Sequence, residues 1–154
     1  MAQAAPPEIQ SPSAPQSWWS RASVSFFWMF SIALLLRLAV ILIGHTYRFK
    51  PDDNAFGFEF EMGRIGRAIA TGRGFADPFN GPTGPTAWES PLYPYLIAGV
   101  FRLTGVYTQA SAFILLAINS VFSSLTCIPI FLIARRCFSE RVAAWSAWAW
   151  ALLP

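Results

Sequence analysis

Two long apolar runs constrain this chain more than any other feature. Residues 23–44, SVSFFWMFSIALLLRLAVILIG, carry a single charge, Arg37, and residues 109–134, QASAFILLAINSVFSSLTCIPIFLIA, carry none. At about 1.5 Å per residue, each is long enough as a helix to match a bilayer core of roughly 30 Å. The composition agrees: 55% of residues are hydrophobic, 16% aromatic and only 12% charged, against about 25% charged in a soluble domain. The expected fold class is an all-α integral membrane protein, with transmembrane helices and an amphipathic juxtamembrane helix in the first outer loop.

The first run is too long for a signal-peptide core and ends in no small-residue cleavage site. The residues before it, 1–22, open as MAQAAPPEIQSPSAPQS, without apolar periodicity, and predict a disordered cytoplasmic tail. Trp18 and Trp19 suit the headgroup level, and Arg21 favours an inside amino terminus, which places residues 45–90 outside as a loop. Residues 91–105, PLYPYLIAGVFRLTG, form a short apolar helix, 109–134 a second transmembrane helix, and 141–154 the start of a further one. If 91–105 crosses fully, Arg135 and Arg136 fall outside, against the positive-inside tendency; if it is re-entrant, they return inside. Both topologies stay open. The last apolar run reaches Pro154 without a polar flank, so the expectation is an amino-terminal fragment of a longer membrane protein, inactive by itself.

The net charge of +3 comes from scattered arginines, with no basic tract or RNA-type aromatic motif, and argues against nucleic-acid binding. Cys127 and Cys137, ten residues apart with no other cysteine or nearby histidine, predict neither a disulfide nor a cysteine metal site. In the 109–134 run, Asn119, Ser120, Ser123, Ser124 and Thr126 read as helix-packing residues.

Charge gathers instead in PDDNAFGFEFEMGRIGRAIATGRGF, residues 51–75, with four carboxylates and three arginines between the greasy segments. Phe58, Met62, Ile65 and Ile69 recur at i, i+4, i+7 and i+11, one face of a helix over about residues 57–71. Gly72 can end it in a left-handed conformation. Gly63 and Gly66 each weaken it by about 1 kcal/mol relative to Ala, so it needs tertiary support or admits a close neighbour. The helix is expected to lie beside the membrane, its apolar face on lipid or on the bundle. Glu61 and Arg64 are spaced to pair. Carboxylates against an apolar wall gain basicity through desolvation, which suits proton abstraction, and arginines at the same level suit phosphate. Glu89, in TAWESPLYPY, stands near a helix amino terminus, where a carboxylate is favoured by the macrodipole; it could also serve at the mouth of a cavity. Arg37 has two readings: snorkelling over roughly 12 Å to the interface, or meeting an anionic lipid phosphate as a functional intramembrane charge.

EMGRIGRAIATGRGFADPFNGPTGPTAWESPLYPYLIAGVFRLTG resembles the amino-terminal module of multi-spanning glycosyltransferases that use lipid-phosphate sugars, the superfamily of protein O-mannosyltransferases and aminoarabinose transferases. The likeness rests on Ile65-Gly66-Arg67-Ala68-Ile69, Gly72-Arg73-Gly74-Phe75, Phe79-Asn80-Gly81, Glu89-Ser90-Pro91-Leu92-Tyr93-Pro94, Arg102-Leu103-Thr104-Gly105 and Ile133-Ala134-Arg135-Arg136-Cys137-Phe138, and covers about residues 23–154. It implies transfer of a sugar from a polyprenyl-phosphate donor to a lipid, glycan or protein hydroxyl at the outer face of the cell membrane, with inversion at the anomeric carbon. The family's catalytic aspartate falls on Phe58, leaving Glu61, Glu59 or Asp53 as the carboxylate, with Glu61 favoured because it lies opposite the apolar stripe. Arg64, Arg67 or Arg37 would neutralise the leaving phosphate. Glu89 matches a glutamate that in some members helps hold a divalent metal, whose other ligands would lie outside this chain. Two rivals stand beside this reading: a transporter or flippase-like protein, and a small non-catalytic membrane scaffold.

Overall fold

The computed structural model describes residues 25–48 and 60–153. The amino-terminal tail, Phe58 and the candidate carboxylates Asp53 and Glu59 lie outside the described residues. Six helices form among those described: α1 Phe26–Ile43, α2 Phe60–Ala70, α3 Leu92–Thr104, α4 Gln109–Leu125, α5 Cys127–Cys137 and α6 Glu140–Leu152. No β-strand occurs among them; Ala76 and Pro85 make an isolated bridge. Two helical stretches are long and apolar enough to cross a membrane, Phe26–Ile43 and the 29 residues of Gln109–Cys137.

The boundaries follow from local chemistry. Beyond α2, Gly72 adopts φ +84°. Its N–H donates to Ile69 O at 3.1 Å and that of Arg73 to Ala68 O at 2.8 Å, the two bonds of a Schellman motif. In α3, Pro94 falls in the first turn, where its missing N–H would have had no intrahelical partner. Thr108 caps α4 by accepting the Ser111 N–H, and Ser139 caps α6 by accepting that of Val142. The second expected span, 109–134, is interrupted at Thr126. Pro129 accounts for this: its ring clashes with the carbonyl four residues back, at Leu125, and it has no N–H to donate there. Leu153 is extended, φ −83° and ψ 116°, as a residue before proline prefers, so α6 ends at Leu152.

Two packing centres result. Met29 and Ala33 of α1, Cys127 and Phe131 of α5 and Ala143, Ala147 and Ala151 of α6 form one buried cluster. The alanines recur every fourth residue and let helix backbones approach closely, as small residues do between helices in lipid. The other centre joins Ile97, Val100 and Phe101 of α3 to Leu115 of α4. Beside it, Ile65 and Ile69 of α2 are buried on Ala98. Of the two resting places open to the amphipathic helix, the apolar stripe takes the bundle. Outward, α1 and α4 expose Leu35, Val40, Ile43, Phe122 and Leu125.

Candidate functional site

The α2 helix carries most of the sequence candidates, and a glycine sets how close it lies. A Cβ on Gly66 would stand 2.6 Å from Ile97 Cγ2 and 3.3 Å from Pro94 O, so only glycine lets α2 sit this far into α3. Arg102, on α3, donates to Ile69 O at 3.1 Å and occupies a carbonyl at the end of α2. With its axis fixed, α2 projects Glu61, Arg64 and Arg67.

The pairing open to Glu61 and Arg64 is not made among the described residues. Arg64 is buried to 8% exposure, its guanidinium 4.2 Å above the Phe60 ring. An aromatic face attracts a cation without needing a carboxylate, more strongly where water is excluded. Arg67 lies 5.9 Å from the Tyr107 ring centroid, and its Nε is buried with no hydrogen-bond partner among the described residues. Burial pushes the Tyr107 phenol up from its ordinary value, while Arg67, Arg64 and Arg73 pull it down. The net direction is upward, so desolvation at the turn between α3 and α4 outweighs three nearby cations. Glu61 stands half-buried in the first turn of α2, where the helix macrodipole favours a carboxylate.

No protein-family model, curated protein or solved structure matches the chain.

Glu89 is half-buried, two residues before Pro91, the cap of α3. Among the described residues no three His, Cys, Asp or Glu side chains come together as a metal site, so Glu89 has no set of co-ligands there.

Arg37 stands apart from the α2 set. It is 7% exposed, which rules out snorkelling as its resting state. Its Nε donates to Ser123 Oγ, its Nη1 to Ala33 O and Ala151 O, and its Nη2 to Trp150 O, each at 3.1 Å. The carbonyls of Trp150 and Ala151 belong to the last turn of α6, which lacks intrahelical donors and carries the negative end of the dipole. Arg37 is therefore a clamp joining α1, α4 and α6. Ser123, read from sequence as a packing residue, is one jaw of it.

Asp77 was not legible as a key residue. Its side chain is buried, with Oδ2 2.8 Å from Arg73 Nη1 and Oδ1 accepting the Gly84 N–H at 3.0 Å. Its own N–H donates to Gly84 O, and that of Thr86 to Phe75 O. Asp77 sits at φ +57°, a left-handed position that Asp tolerates better than most residues. The available signal was Asp-Pro followed by Gly81 and Gly84, residue types that build turns. Asp77→Ala should loosen residues 72–90, costing on the order of 1 kcal/mol locally because the Gly84 N–H and the half-exposed Arg73 lose their shared acceptor. Asp77→Asn should cost less, since an amide oxygen still accepts from Gly84. Amide hydrogen exchange across this segment measures both; unchanged protection in Asp77→Ala would show that the loop is held by other contacts.

Proposed function

We propose that this chain forms part of a multi-pass cell-membrane glycosyltransferase that takes its sugar from a polyprenyl phosphate and passes it to a hydroxyl of a lipid, glycan or protein at the outer face. The observation that carries this reading is the docking of α2. Arg64 and Arg67 are held on a short helix packed against the bundle, with Arg67 Nε buried and unpartnered among the described residues. A buried guanidinium donor needs an acceptor, and phosphate oxygens match its fork.

In this mechanism the Glu61 carboxylate accepts the hydroxyl proton of the acceptor as that oxygen attacks the anomeric carbon. The bond from that carbon to the phosphate oxygen breaks and its electron pair leaves with the lipid phosphate, whose charge Arg67 and Arg64 stabilise. Glu89 keeps the substrate-binding role that the resemblance implies, and no step is routed through a metal. Arg37 is left out of the leaving-phosphate role because it stands apart from α2, its guanidinium bonded to α1, α4 and α6.

A transporter predicts intramembrane charge repeated in a second half; within this chain the candidate spans hold Arg37, in Phe26–Ile43, and Arg135 and Arg136, near the end of Gln109–Cys137. A scaffold leaves the buried, unpartnered Nε of Arg67 without purpose.

The test is Glu61→Gln in the native protein in its own membrane, followed by transfer of labelled sugar from a polyprenyl-phosphate donor. Loss of a general base should slow turnover by about a hundredfold or more. Arg67→Leu should lower kcat as well as raise KM for the donor, because the charge it meets grows as the phosphate leaves. Undiminished turnover in Glu61→Gln would remove Glu61 from the chemistry.

A further inference from the structure

Arg37 also lines a cleft between α1 and α4. Its walls are Arg37, Val40, Ile41, Leu116, Asn119, Ser120 and Ser123, and its volume is about 220 Å³. We propose that this cleft holds the anionic headgroup of a bilayer lipid, bound as a resident ligand distinct from the sugar donor. The inference rests on the reading of α1 and α4 as membrane-spanning.

Charge comes first. Among the described residues the one ion pair joins Arg73 to Asp77, so Arg37 has no carboxylate beside it. The carbonyl end of α6 supplies roughly half a negative charge, which leaves part of a cation uncompensated in an apolar surround. Charge at that depth calls for a partner.

Hydrogen bonding points the same way. Four of the five guanidinium N–H groups are engaged. The Ser123 hydroxyl accepts from Arg37 and keeps its own proton to give. Asn119 spends one amide N–H on the Tyr93 hydroxyl at 2.6 Å and keeps another. Spare donors on Arg37, Ser123 and Asn119 thus share one cleft, and donors in excess select an anion.

Size narrows the occupant. Pockets for whole small molecules run to about 300–1,000 Å³; this one suits a phosphate headgroup rather than a sugar with its carrier. Val40, Ile41 and Leu116 offer apolar walls, and Val40 is exposed outward from the cleft, so an acyl chain would meet apolar surface. Both a soluble anion and a headgroup must shed water to enter, but only the lipid adds the contact of its acyl chains with the apolar walls.

The experiment reconstitutes the full chain in nanodiscs of phosphatidylcholine, alone or mixed with phosphatidylglycerol. Retained lipid is measured by native mass spectrometry and the unfolding midpoint by heating. Phosphatidylglycerol should be retained over phosphatidylcholine and should raise the midpoint, while inorganic phosphate added to phosphatidylcholine discs should do neither. Arg37→Leu should lower the selectivity on the order of tenfold, the weight of one charge-assisted hydrogen bond. Leu116→Trp fills the cleft while leaving the clamp intact, and should lower it as much. Equal retention of both lipids, selectivity that survives Leu116→Trp, or a midpoint shift reproduced by free phosphate overturns the proposal. Failure to enter phosphatidylcholine discs at all overturns the membrane-spanning reading and the lipid site with it; entry without selectivity overturns the lipid site alone.

Discussion

Arg37→Ala should destabilise the protein by on the order of 3 kcal/mol, seen as a lowered unfolding midpoint in detergent. The change strips Trp150 O and Ala151 O of their donor in the last turn of α6. Pro154 has no N–H with which to replace it at Trp150. Each orphaned buried carbonyl costs about 1–3 kcal/mol, partly offset because a desolvated cation is removed as well. Ser123 loses its partner too, so α1, α4 and α6 come apart at one point. Arg37→Lys should recover only part of the loss, because a single ammonium cannot reproduce a planar fork directed at both α6 and Ser123. A snorkelling arginine would behave differently: truncating it would leave stability nearly unchanged. A midpoint for Arg37→Ala within error of wild type would therefore refute the clamp.

Gly66→Ala should also destabilise, although alanine is the better helix former by about 1 kcal/mol. The new Cβ would lie 2.6 Å from Ile97 Cγ2 and 2.9 Å from Ile97 Cβ, well inside the usual carbon–carbon contact of about 3.5–4.0 Å. Ile97 is fully buried and has little room to yield. Overpacking of this sort costs about 1–3 kcal/mol, so the net effect should be a loss of up to about 2 kcal/mol. Gly66→Leu should push α2 off α3 altogether and, on the glycosyltransferase reading proposed above, abolish sugar transfer with it, since Glu61, Arg64 and Arg67 take their positions from that contact. Gly99 on α3 is the control. It is exposed with open space where a Cβ would be, and Gly99→Ala should stabilise by up to about 1 kcal/mol. In a double-mutant cycle, Ile97→Ala should relieve much of the Gly66→Ala penalty. If Gly66→Ala and Gly99→Ala had the same sign of effect, close approach would not be the reason for glycine at 66.

Much of the α2 site was legible because the signal is local. The spacing of Met62, Ile65 and Ile69 fixes one face of a helix whatever lies against it, and Gly72 is readable as a terminator because few other residues accept its φ. The close approach at Gly66 was foreseeable as a class of explanation, since glycine inside a helix calls for one. Its partner was not, because Ile97 is brought there by packing. The contact of Arg64 with Phe60 displaced the pairing expected with Glu61, since burial favours a neighbouring ring over a carboxylate that can stay hydrated. Asp77 escaped notice because its acceptor role depends on a turn that returns Gly84 to it.

By itself the sequence determined that the chain is helical, where most helices begin and end, and which stretches are apolar enough to cross a membrane. Those properties depend on residues within one or two turns of each other and on simple transfer from water. Only the tertiary structure decided what Arg37 does: its partners on α4 and α6 lie 86 to 114 positions away, and no periodicity encodes which carbonyls a buried guanidinium will meet. The apolar stripe of α2 likewise matched lipid and protein equally well, until Ile65 and Ile69 were found buried on Ala98.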